Sequence, residues 1–248
     1  MKSIIRDTSF LKESLIAHRG YHNIDKKIPE NSIPAFKEAI KNNLVIELDV
    51  HILKDSNVVV FHDDNLKRMT SINKNIKDLT YKDLNNVYLE GTKEKIPLLT
   101  DVLKLVNGKV PLIIELKSDV KCGLLEEKVI KILKEYKGKY AVKSFNPFSI
   151  RYFKKYYPDA IRGQLVSSFK NKKMNSIKKL FLSHMFFNFL TKPDFISYDI
   201  KSLPNNKISK LRDDKLILGW TVRNTEDLEK AKKYCDNYIC ENIDFKKI

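Results

Sequence analysis

Glycine is scarce in this 248-residue chain, with seven residues at positions 20, 91, 108, 123, 138, 163 and 219. No two lie close enough to form a G-x-G-x-x-G or G-x-x-x-x-G-K loop, so nucleotide binding by a glycine cradle is excluded. The same spacing excludes a G-x-S-x-G nucleophile elbow, and no H-E-x-x-H is present. Any phosphate handled here must be met by side chains and metal. The three cysteines, Cys122, Cys235 and Cys240, form no C-x-x-C pair and no zinc spacing, which reads as reduced structural thiols. No long apolar run opens the chain: Arg6, Asp7, Lys12 and Glu13 interrupt the first twenty residues, so they contain no signal-type h-region and no membrane-length stretch. A cytoplasmic location is the expectation. There is no internal repeat, low-complexity tract or Pro/Gly/Ser linker, which favours one domain over residues 1–248.

Hydrophobic residues make up 42% of the chain, enough for a sizeable core. Short β-branched runs alternate with helix-period segments, the pattern of a parallel sheet covered by helices. The runs are 15–20, 44–50, 58–62, 111–117, 140–145, 161–166, 194–200, 216–222 and 236–240. Nine candidates are one too many for an eight-stranded barrel. The polar loop Asp55-Ser56-Asn57 joins the second and third as a hairpin, so 58–62 is expected to be an accessory strand. Ile33, Phe36 and Ile40 share one helix face opened by Asn31 or Ser32. A second helix carries Leu125, Val129, Ile132 and Tyr136, with Gly138 expected as its stop. Residues 63–99 break the alternation and suggest a small insertion beside the barrel mouth. Its clearest helix lies near Thr80 to Tyr88, with Thr80 and Asp83 at capping-box spacing. The fold expected is an α/β, TIM-type (β/α)8 barrel carrying that insertion.

Residues two apart on a strand point to the same face, so Glu47 and Asp49 project together from VIELDV. Burying two acids is costly unless they are paired or bind a metal. Glu115 and Lys117 repeat the arrangement in PLIIELK, adding a third carboxylate and a cation. Three carboxylates are hard oxygen ligands that suit Mg²⁺ or Ca²⁺ better than zinc. His18 and His62 each close a strand run, at the end where barrel enzymes build their sites, and imidazoles exchange protons near neutral pH. Arg19 offers a fork of donors to phosphate oxygens.

These segments, AHRG at 17–20, PEN at 29–31, ELDV at 47–50 and FHD at 61–63, resemble in order and spacing the glycerophosphodiester phosphodiesterase family; IELK, the Ser144-Phe145 pair and GWTV are similar to its later motifs. The resemblance implies one divalent cation, Mg²⁺ or Ca²⁺ with Mn²⁺ also allowed, held by Glu47, Asp49 and Glu115. It implies His18 and His62 as the general acid–base pair, Arg19 and Lys117 as phosphate neutralisers, and Trp220 packed against the glycerol. Glu30 and Asn31 would shape the mouth and orient His18 or Arg19. The implied reaction converts a small-molecule glycerophosphodiester into sn-glycerol 3-phosphate and an alcohol, through a cyclic phosphate formed by the neighbouring glycerol hydroxyl. Three departures stand out: Leu53-Lys54-Asp55-Ser56 replaces the usual T-x-D-G turn, PENS replaces the customary PENT at Ser32, and DNYICEN replaces the usual G-I-I-T-[ND], leaving the roles of Cys240 and Glu241 open.

Competing functions are phospholipase D-like hydrolysis of lysophospholipids and a catalytically inactive barrel that binds lipid or polyanion. The net charge of +16 fits any anionic partner, but the lysines are scattered and no nucleic-acid motif or basic arm is present, so no nucleic acid is expected. The basic apolar stretch 168–193 suggests peripheral membrane contact, against the alternative of an elaborated barrel helix.

Overall fold

A computed structural model describes residues 6–118, 122–167 and 188–245. After a short helix, α1 (Phe10–Glu13), the first strand is β1 (Ile16–Ala17), followed by α2 (Ile33–Lys41), β2 (Val45–Ile52) and β3 (Val58–Val60). Next come α3 (Lys67–Thr70), α4 (Leu99–Val106), β4 (Leu112–Leu116), α5 (Leu124–Lys134), β5 (Tyr140–Ser144), α6 (Pro147–Tyr156) and β6 (Ile161–Val166). The chain then forms α7 (Asn188–Thr191), β7 (Phe195–Asp199), α8 (Asn206–Leu211), β8 (Leu216–Val222), α9 (Thr225–Tyr234) and β9 (Asn237–Cys240).

Eight strands pair in parallel in the order β1-β2-β4-β5-β6-β7-β8-β9, and β9 pairs back onto β1, which closes a TIM-type barrel. Continuous apolar runs suit this arrangement, because each parallel strand is covered on both faces. One face packs outward against helices, through Phe36, Val102, Leu133, Phe153 and Ile208. The other fills the barrel interior with Ile16, Val45, Ile113, Ala141, Phe195, Leu218 and Ile239. Glycine is required at 163 because a β-carbon there would lie 2.2 Å from the Phe195 ring.

β3 pairs antiparallel to β2, through Val50↔Val60 and Ile52↔Val58, and is the accessory strand expected. Helix α2 is capped by Ser32, whose hydroxyl accepts from the Ala35 N–H, with Pro34 in the first turn where its missing donor costs nothing. Helix α5 ends at Lys134, short of the expected stop at Gly138. Gly138 serves a different purpose, since a β-carbon there would lie 2.4 Å from the Tyr136 hydroxyl, which accepts the Gly108 N–H.

The region after β3 builds a satellite core of its own, in which Leu53, Phe61, Leu66, Met69, Ile76, Leu84 and Ile96 pack together. The reciprocal capping box of Thr80 and Asp83 is present, but it opens a short 3-10 helix over Tyr81–Leu84 and not the longer helix expected to Tyr88. Only Leu84 of that helix is buried, so no continuous apolar face favours a longer one.

Candidate active site

The carboxylates are assembled by strand register. Asp49 on β2 lies opposite Glu115 on β4, and Glu115 lies opposite Lys143 on β5, so one lateral row across three strands carries acid, acid and ammonium. Glu47 faces the same way two residues before Asp49. Glu47 and Asp49 are fully buried, and Glu115 and Lys143 nearly so. One oxygen from each acid lies within 4.8 Å of the others, the one such group among the described residues.

Two ammonium groups serve this trio. Lys117 Nζ is 2.6 Å from Glu115 Oε1 and 3.0 Å from Asp49 Oδ1. Lys143 Nζ is 2.8 Å from Glu47 Oε1 and 3.5 Å from Glu115 Oε2. Burial opposes ionisation of Asp49 and Glu115, yet Lys117, His62 and Arg19 hold the Asp49 carboxyl well below its ordinary range, and Lys117 and Lys143 lower that of Glu115. Both lysines are raised in return. Three buried hard-oxygen donors on one cavity floor fit a divalent cation.

Each expected histidine has its Nδ1 on a carboxylate. His62 Nδ1 donates to Asp63 at 2.5 Å, and His18 Nδ1 donates to Glu241 Oε2 across the β9–β1 junction. A carboxylate only accepts, so Nδ1 must carry the proton and Nε2 is left for chemistry. His18 Nε2 lies 3.9 Å from Glu47 Oε2. His62 follows the antiparallel strand of the hairpin, not a barrel strand: β2 overshoots the barrel, and β3 folds back to the level of Asp49, whose carbonyl accepts the Phe61 N–H. His51, whose pKa burial lowers, donates from Nε2 to the His62 carbonyl and ties the turn.

Behind these groups runs an ion-pair chain. Arg19 Nε is 3.4 Å from Asp49 Oδ2, Arg19 donates to Glu30 at 2.7 Å, and Arg68 bridges Glu30 at 2.7 Å to Asp63 at 2.6 Å. Glu30 thus lies between the two guanidinium groups. Asn31 donates its backbone N–H to the Arg19 carbonyl at 2.9 Å and its side-chain amide to Asp49 Oδ2 at 3.0 Å. Arg19 and Asn31 both adopt left-handed backbone, φ 56° and 53°.

His18, Arg19, His62, Glu115, Lys117 and Trp220 line one cavity of about 720 Å³, with Glu47 and Asp49 joined to Glu115 at its floor. Trp220 meets Phe145 edge to face at 5.7 Å between ring centres, forming an apolar wall. The sequence profile of the Glycerophosphoryl diester phosphodiesterase family matches residues 18–241, which run from the first histidine to the carboxylate that holds it. The chain belongs to this family.

Among relatives in the family, the chain is 38% identical over 159 residues to a glycerophosphodiester phosphodiesterase of Caldanaerobacter subterraneus, covering 60% of this chain and 64% of that protein. It is 37% identical over 134 residues to a lysophospholipase D of Homo sapiens, covering 49% and 41%. These matches span less than two thirds of either relative. Among solved structures, an Oleispira antarctica phosphodiesterase in complex with the product sn-glycerol-3-phosphate superposes with a TM-score of 0.75 at 22% identity over 93% of both chains. A glycerophosphodiester phosphodiesterase of Thermotoga maritima gives 0.69 at 25% identity, over 92% of this chain and 94% of that one.

Sequence reasoning did not find Lys143, Asp63, Arg68, Arg223 or Glu241 as members of this family site. Lys143 had a signal: a lysine inside the apolar run YAVKSF, in step with Ala141, faces the barrel interior. Asp63 stood beside a histidine already singled out. Glu241 was marked only as a departure in the last motif, with its role open, and Arg68 and Arg223 had no local signal. The stretch 168–193 falls mostly outside the described residues, and no described helix is long and apolar enough to cross a membrane.

Proposed function

We propose that this protein hydrolyses glycerophosphodiesters to sn-glycerol 3-phosphate and an alcohol, with His18 and His62 as the acid–base pair and a divalent cation on Glu47, Asp49 and Glu115. The observation that carries the reading is the pair of carboxylate-held imidazoles in the cavity floored by three buried acids. One histidine, through Nε2, takes the proton of the glycerol hydroxyl beside the phosphodiester, so that its oxygen attacks phosphorus. The other protonates the departing alkoxide. Water then opens the cyclic phosphate with the roles exchanged. Positioned proton transfer of this kind is worth about 10²–10⁴ in rate.

Arg19 and Lys117 neutralise phosphate oxygens, and Trp220 with Phe145 gives the glycerol carbons an apolar wall. A bound Mg²⁺, Ca²⁺ or Mn²⁺ supplies further charge neutralisation for the phosphoryl group. Family membership and the likeness to a fold that binds sn-glycerol-3-phosphate in Oleispira antarctica support this reading. The match to a lysophospholipase D favours one second reading, in which the same groups cleave lysophospholipids. An inactive binding barrel has no need for the five acid and histidine side chains to stand together.

The test is release of glycerol 3-phosphate from glycerophosphocholine and glycerophosphoethanolamine, with EDTA or with added Mg²⁺, Ca²⁺ or Mn²⁺, and His18→Ala as control. Cation-dependent release that the variant loses supports the reading. No release from either, with choline freed from lysophosphatidylcholine, transfers support to the lysophospholipid reading, and no turnover of any substrate leaves the binding module. Peripheral membrane contact through 168–193 is tested separately by liposome flotation, with and without that stretch.

A further inference from the structure

The final strand brings a carboxylate to the first. β1 pairs with β9 through Ala17↔Cys240, and the His18 N–H donates to the Cys240 carbonyl at 2.8 Å, so the next residues, His18 and Glu241, are neighbours although 223 apart in the chain. The Glu241 backbone is itself tied to β8, its N–H donating to the Val222 carbonyl at 3.1 Å. We infer that Glu241 is a positioning residue that sets the tautomer and the ring plane of His18 so that Nε2 faces the cavity.

The carboxylate is held from both sides. Arg223 Nε donates to Oε1 at 2.6 Å, which leaves Oε2 for His18 Nδ1, and His22 Nε2 lies 3.9 Å from Oε2 on the same carboxylate. With one oxygen engaged by a guanidinium, the group presents the other in a single direction, and a neutral imidazole donating to it has its one proton on Nδ1 and not on Nε2. The simpler alternative is an ion pair of Glu241 with the half-exposed Arg223 that merely ties two loops together. That role would leave His18 untouched on loss of the carboxylate, whereas positioning would not. His62 has its own carboxylate in Asp63, so the effect is confined to one imidazole. The inference rests on the proposed role of His18 in proton transfer.

The experiment uses the intact protein, uniformly labelled with ¹⁵N histidine, and long-range ¹H–¹⁵N correlation spectra on the alkaline side of the imidazole titration, with His18→Ala assigning the signals. The wild type is expected to show His18 with the proton on Nδ1. Glu241→Ala should move His18 toward the mixture of tautomers of a free imidazole and lower kcat about 10²-fold with KM within about twofold. Glu241→Gln keeps an acceptor oxygen, should retain the tautomer and should lose only about tenfold; it also carries the test if the alanine variant fails to fold. An unchanged His18 tautomer in folded Glu241→Ala, or kcat within twofold of wild type in both variants, overturns the inference. If the wild type releases no glycerol 3-phosphate the proposed reaction falls, but the tautomer comparison still decides whether Glu241 positions His18.

Discussion

The two histidine–carboxylate pairs reach the same chemistry from opposite distances. His62 and Asp63 are adjacent in sequence, delivered together by a hairpin and secured from outside by Arg68, on the satellite side of the mouth. His18 and Glu241 come from the two ends of the chain and meet only where the barrel closes, secured by Arg223 from the last crossover. A local pair survives as long as its own turn does. A closure pair exists only if all eight strands are in register, because the β1–β9 pairing is the last to be satisfied on going round the sheet. The hairpin histidine can therefore be tuned by its loop, and the closure histidine reports on the integrity of the whole barrel.

The strongest break in the comparison removes the imidazoles themselves. His18→Ala and His62→Ala should each lower kcat by about 10²–10⁴, and the double variant should lose far less than the product of the two, because the pair acts as a unit. Steady-state kinetics of the three variants checks this. Next in size, Lys143→Met leaves buried Glu47 without its partner on the floor shared by both histidines. Loss of one member of a buried pair costs about 3–5 kcal/mol, so the metal-free melting temperature should fall by about 10 °C. Added Mg²⁺ or Ca²⁺ should restore the variant more than it stabilises the wild type, and differential scanning fluorimetry with EDTA and with cation reads both. An equal fall in the presence of cation would show that no cation replaces the ammonium.

Asp63→Asn is the hairpin counterpart of Glu241→Gln and sharpens the comparison directly. It should cost about tenfold in kcat with the His18 tautomer unchanged. The Asp63 carboxyl also gives a pH signature: burial raises it, but hydrogen bonds from Arg68 and His62 outweigh that and hold it at about 2, against an ordinary 3.8. A depressed carboxyl contributes stability that is complete above 3.8 and lost as pH falls through about 2. Acid unfolding followed by circular dichroism should show that component in the wild type and not in Asp63→Asn. The smallest effect belongs to Arg68→Ala, which cuts the link from Asp63 to Glu30 and Arg19. Because Arg68 is half exposed, stability should change by less than about 1 kcal/mol, with kcat lowered a few-fold. A larger loss would mean that the ion-pair chain couples the satellite layer to Arg19.

Barrel and accessory strand were legible because parallel strands buried on both faces write themselves as separate apolar runs, and because Asp55-Ser56-Asn57 is too short to return anything but an antiparallel neighbour. The expected end of α5 at Gly138 went astray: the helix stops at Lys134, and Gly138 lies against the Tyr136 ring in the turn that follows. Much of the site was legible too, since alternation aims Glu47 and Asp49, and Glu115 and Lys117, to one side. The PEN motif marked Asn31 as a support for His18 or Arg19; its backbone N–H does bond the Arg19 carbonyl, while only the folded loop shows its side-chain amide turned to Asp49.

What the sequence determined by itself is the chemistry available: two imidazoles, three strand-borne acids and the cations beside them, each readable from side-chain type and a two-residue period. What only tertiary structure decided is which acid serves which partner. Register across β2, β4 and β5 placed Lys143 against Glu47 and Glu115 and so made the acids a compensated buried cluster. Closure of β9 onto β1 gave His18 its carboxylate. Both depend on hydrogen-bonded strand pairings between distant segments, and such pairings leave no trace in the spacing of residues along the chain.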